Sequence, residues 1–93
     1  MRLVFLYHPK SEQEGPVLDY ARDYKRFRNR DFELISLDTA EGANLAKTHD
    51  VVRYPAILAL NDRSELLQLW QGWPLPLMND IDAYTGSSQL DSN

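Results

Sequence analysis

The sequence predicts an α/β sandwich of three layers, a mixed four-stranded sheet with helices on both faces in the order β-α-β-α-β-β-α. Three observations carry this. A stretch of helical period lies between two short apolar runs, and a strand, helix, strand unit crosses right-handed with its strands parallel. Residues 56–60, Ala-Ile-Leu-Ala-Leu, are apolar on both faces, the mark of a central strand covered on each side. Residues 61–64, Asn-Asp-Arg-Ser, separate that run from a second one at 66–71 and form a hairpin turn, so the last two strands are antiparallel.

The first element is Leu3-Val4-Phe5-Leu6-Tyr7, a buried strand stopped by Pro9. After the polar residues 11–16, Val17, Tyr20, Ala21, Tyr24 and Phe27 recur at helical spacing and define one apolar face. The end of that helix collects Arg22, Lys25, Arg26, Arg28 and Arg30, where cations favour the carbonyl end of the dipole. Residues 32–37 read as the second strand. Asp38 or Thr39 caps a short helix over residues 40–48. Pro76 opens the last helix, with Leu77, Ile81 and Tyr84 on its inner face. The expected domain spans residues 1–85, and residues 86–93, Gly-Ser-Ser-Gln-Leu-Asp-Ser-Asn, are expected to be a flexible tail.

Composition removes whole classes of chemistry. The chain has no cysteine, which excludes disulfides, thiolate metal sites and dithiol redox catalysis. Its net charge of −4 argues against a general nucleic-acid binder. Charge is uneven: residues 1–30 hold seven basic and four acidic groups, +3, whereas residues 31–93 hold three and ten, −7. The longest apolar runs are five residues, too short to span a membrane. With no signal-like segment at the start, the expected location is the cytoplasm. His8 and His49 lack second ligands at metal spacing, so no metal is expected.

Residues 51–58, Val-Val-Arg-Tyr-Pro-Ala-Ile-Leu, resemble the segment of the thioredoxin superfamily that runs into its cis-proline and central strand. Ser64-Glu65 followed by Gly72 is similar to that family's hairpin turn and the glycine closing its fourth strand, and Leu37-Asp38 resembles the end of its second strand. The resemblance implies a thioredoxin-like α/β sandwich over about residues 2–85, with a cis Tyr54-Pro55 peptide. It places the family's catalytic Cys-x-x-Cys between the first strand and the first helix. Two registers are open: Ser11-Glu12-Gln13-Glu14, after a His8-Pro9-Lys10 that resembles the glutaredoxin Lys-Pro-Gly lead-in, or Glu14-Gly15-Pro16-Val17. The first keeps the distance to Phe32 family-like. Neither holds a thiol, so the redox reaction does not carry over.

The candidate sites follow from this frame. Ser11 takes the position of the nucleophilic cysteine; its structural alternative is a capping box with Glu14. Tyr54 and Pro55 present backbone that can pair with an extended peptide. Trp70, Trp73, Leu75 and Leu77 make an apolar end in which Trp70 is expected to be covered, with Trp73 beside Leu75 as an exposed contact patch. The expected function is a redox-inactive thioredoxin-like protein, more a binding module than an enzyme, that engages a protein or peptide through Ser11, Glu14, Tyr54 and Pro55. No cofactor, nucleic-acid or membrane partner is expected. The first alternative is glutathione binding or transferase-type activity using Ser11, weakened because Gly72-Trp73-Pro74-Leu75 stands where transferases carry an acidic-Ser pair. The second is a structural domain that forms a homodimer through Trp73 and Leu75.

Overall fold

The computed structural model describes residues 1–85, so the expected tail at 86–93 lies outside the described residues. Seven elements follow in order: β1 (Arg2–Tyr7), α1 (Glu14–Arg28), β2 (Glu33–Ser36), α2 (Ala40–Thr48), β3 (Ala56–Leu60), β4 (Leu66–Gln71) and α3 (Met78–Thr85). The four strands form one sheet in the order β2-β1-β3-β4. β1 runs parallel to β2 and antiparallel to β3, and β4 is antiparallel to β3.

Strand alternation sends neighbouring residues of β1 and β3 to opposite faces, and both faces are covered. Leu3, Phe5, Ile57 and Ala59 pack beneath α1 and α3 against Val17, Tyr24, Phe32 and Ile81. Val4, Leu6, Ala56, Leu58 and Leu60 point the other way, towards Ile35, Ala46 and Val51. The first face is aromatic, with Tyr24 and Phe32 rings 4.9 Å apart and Phe5 edge-on to Tyr20. The second is aliphatic.

Helix α1 begins one residue after Gln13 and ends at Asn29, whose left-handed conformation (φ 56°) Asn tolerates. Pro16 lies in the first turn, where a missing N–H leaves no intrahelical bond unmade. The expected inner face needs one correction. Phe27 is 63% exposed, with the Arg26 guanidinium 5.8 Å over its ring. Four residues beyond Tyr24, Arg28 continues the inward stripe instead, because Asp82 of α3 is there to receive it: Arg28 Nε donates to Asp82 Oδ2 at 2.6 Å. Thr39 caps α2 by accepting from the Gly42 N–H.

Helix α3 also starts later than Pro76 suggested. Leu77 precedes it and is 71% exposed, its N–H bonded to the Asp80 carboxylate. Met78 and Ile81 take the inner face instead, and Tyr84 lies at the rim with its ring edge-on to Trp70. The hairpin turn is held by Asn61, whose side-chain oxygen accepts from the N–H groups of Arg63 and Glu65.

Candidate functional site

The loop after β1 and the segment before β3 meet at one end of the sheet. β1 delivers His8 as it leaves the sheet, and α1 fixes Gln13 at its N-terminus. Ser11 Oγ donates to the His8 carbonyl at 2.6 Å and accepts from the Gln13 N–H at 3.2 Å. Its proton is thereby committed to a carbonyl, an arrangement that does not raise the nucleophilicity of a hydroxyl. The capping box with Glu14 does not form: Glu14 N–H donates to the Ser11 backbone carbonyl, and Gln13 is the cap residue. Glu14 opens α1, half-buried.

Gln13 is the residue that joins the two segments. Its side-chain oxygen accepts from the His8 N–H at 3.1 Å, and its Nε2 donates to the Tyr54 carbonyl at 3.4 Å. The His8 imidazole lies edge-on to the Tyr54 ring, with centroids 5.3 Å apart. Tyr54 donates its hydroxyl proton to the Val51 carbonyl at 3.0 Å, which holds the ring against its own approach segment. Gln71 of β4 completes the frame, its side-chain oxygen accepting from both Val52 and Arg53 N–H groups. Pro55 is buried, and its carbonyl accepts from the Gly72 N–H. The peptides before Pro55 and Pro74 are both cis.

Sequence reasoning brought Ser11, Tyr54 and Pro55 to one end of the sheet but gave no role to Gln13 or Gln71. No acceptor among the described residues takes the Tyr54 N–H, nor the N–H groups of Lys10, Ser11 and Glu12 in the loop after β1. The described surface holds no enclosed pocket, and no cluster of three metal-ligating side chains occurs among the described residues. This end of the sheet offers backbone groups for pairing and the His8 and Tyr54 rings for contact.

The apolar end divides differently from expectation. Trp70 is half-buried against the aromatic face, as expected, and Trp73 is 55% exposed. Leu75, expected beside Trp73 on the surface, packs partly into the core instead. Gly72, with φ 78°, turns the chain out of β4 and so separates the two tryptophans.

A four-stranded β2-β1-β3-β4 sheet with α1 and α3 on one face and α2 on the other is a thioredoxin-like α/β fold. Thioredoxin 1 from the thermophilic eubacterium Thermosipho africanus TCF52B is a solved structure of this kind: it matches with a TM-score of 0.68 over 96% of this chain and 99% of its own, at 16% identity. That likeness establishes the fold. No protein-family model and no curated protein matches the chain. Without a cysteine, this chain has no thiol for disulfide exchange. No helix among the described residues is long and apolar enough to cross a membrane.

Proposed function

We propose that this protein is a redox-inactive, thioredoxin-like binding module, acting in the cytoplasm, that holds an extended protein or peptide segment against His8, Ser11, Glu14, Tyr54 and Pro55. The observation that carries the reading is the open Tyr54 N–H beside the His8–Tyr54 ring pair. An extended segment can accept from that N–H while its own side chains lie on the rings, the chemistry of strand addition. The 3.4 Å bond from Gln13 to the Tyr54 carbonyl is long, so an incoming N–H can displace it. The transferase alternative finds less support, because the Ser11 proton is already engaged.

The test is capture from lysate followed by amide-shift mapping. A partner held by the unmodified chain should be lost from Ser11→Arg, which adds bulk at an exposed position, and kept by Leu18→Ser on the outer side of α1. Its binding segment should shift the amides of His8, Gln13 and Tyr54. Equal capture by both variants sinks the reading. In parallel, insulin-disulfide reduction should run no faster than with dithiothreitol alone.

A further inference from the structure

The free edge of β4 carries the inference. Strand β4 reads Leu-Leu-Gln-Leu-Trp-Gln, with neither a charged residue nor a proline, two of the devices that keep an edge strand from pairing. The hydrogen-bonding pattern shows which groups face outward. The Gly72 N–H bonds to the Pro55 carbonyl, and Trp70 and Gln68 stand opposite Ile57 and Ala59 two and four residues earlier, so these three direct their backbone towards β3. Leu69 and Gln71 therefore turn theirs to the open edge. Leu67 is the extra residue where the register shifts beside Leu60.

The two ends of this edge are complementary in polarity and in charge. At its start Leu66 and Leu67 are exposed (37% and 44%), preceded by the carboxylate of Glu65. At its end comes the turn at Gly72, then exposed Trp73. The Arg53 side chain lies against Gly72, and its guanidinium has no partner among the described residues. A two-fold axis through Leu69 sets one copy's start beside the other's end.

We infer that this edge is a dimer interface for a second copy of this chain, with the two β4 strands antiparallel about Leu69 and Glu65 of each copy facing Arg53 of the other. The pairing is isologous, so both charge pairs form together. Leu66 and Leu67 then cover the Gly72–Trp73 turn of the second copy, and the two four-stranded sheets join into one. In the single chain the Gln68 side-chain oxygen accepts from the Leu69 N–H at 2.9 Å, while Gln68 Nε2 donates to the Tyr84 hydroxyl. Pairing exchanges the first of these bonds for a backbone carbonyl.

Sedimentation equilibrium over the micromolar range tests this. The unmodified chain should be a reversible dimer. Glu65→Arg and Arg53→Glu should each weaken association about tenfold or more, since each places like charges opposite each other twice, and the double exchange should restore it. Leu67→Lys, at an exposed position, should give a folded monomer by circular dichroism. Gln68→Ala, which uncovers the Leu69 N–H, should tighten the dimer. A chain that stays monomeric throughout the range overturns the inference. So does a dimer indifferent to Leu67→Lys, or charge reversals that the double exchange fails to rescue.

Discussion

Glu33 and Arg2 show how one surface pair gains a pH dependence. The Arg2 guanidinium meets the carboxylate with two bonds, Nε at 2.9 Å and Nη2 at 2.8 Å. Those bonds, more than the bare attraction of the charges, hold the Glu33 carboxyl below its ordinary range. A carboxyl depressed in the folded state stabilises the fold at neutral pH and loses that contribution as pH falls through the depressed value. Glu33→Gln should therefore cost about 0.5 kcal/mol at neutral pH, small because the pair is largely solvated. In urea melts the gap between the two proteins should close as the solution is acidified below the glutamate range. A gap that stays constant would show the pair contributes through shape alone.

Among the elements, α2 holds one position with no room for a side chain. Gly42 is buried, and a Cβ there would run into the Ser36 carbonyl and the Leu37 backbone. The helix can lie this close to the end of β2 only because that side chain is missing. Gly42→Ala should destabilise the fold by about 1–3 kcal/mol despite alanine's higher helix propensity, read as a lower thermal midpoint. A neutral or stabilising effect would mean the helix slides away freely. This same helix was readable from its composition, with the cap narrowed to Asp38 or Thr39, because capping is a matter of local spacing; the structure selects Thr39. The strands were legible for the same reason: β1 and β3 are short apolar runs, β2 alternates loosely around Leu34 and Ile35, and β4 is closed by Gly72. Phe27 and Arg28 were not, because which of two adjacent residues faces inward at the last turn depends on Asp82, 54 residues further on. Gln13 left no mark in the sequence either. A carboxamide that bridges His8 and Tyr54 has no spacing of its own to betray it.

At the scale of the whole molecule, α1 and α3 are joined across the aromatic face by one polar clamp. Arg28 donates to Asp82 and to the Asn79 side chain, and the buried Tyr24 hydroxyl donates to Asp82 at 3.3 Å. Burial first, and the Asp82 charge second, push the Tyr24 phenol up to about 12, and burial raises Tyr20 as well. A raised phenol means the neutral form is the one the fold accepts. Its contribution is complete below the ordinary tyrosine value of about 10 and disappears as pH rises through the folded value. Tyr24→Phe should lose about 1 kcal/mol at neutral pH with its hydrogen bond, yet unfold at a more alkaline pH than the parent. The crossing of the two stability curves is the readout, and parallel curves would contradict it.

The Gln13 bridge has an electrochemical consequence. The loop after β1 is closed by a carboxamide, a group that neither gains nor loses electrons under biological potentials. Its shape is set by proton sharing alone. Oxidant and reductant should leave the surface around His8 and Tyr54 unchanged, so whatever it meets there is met on the same terms at any cellular potential.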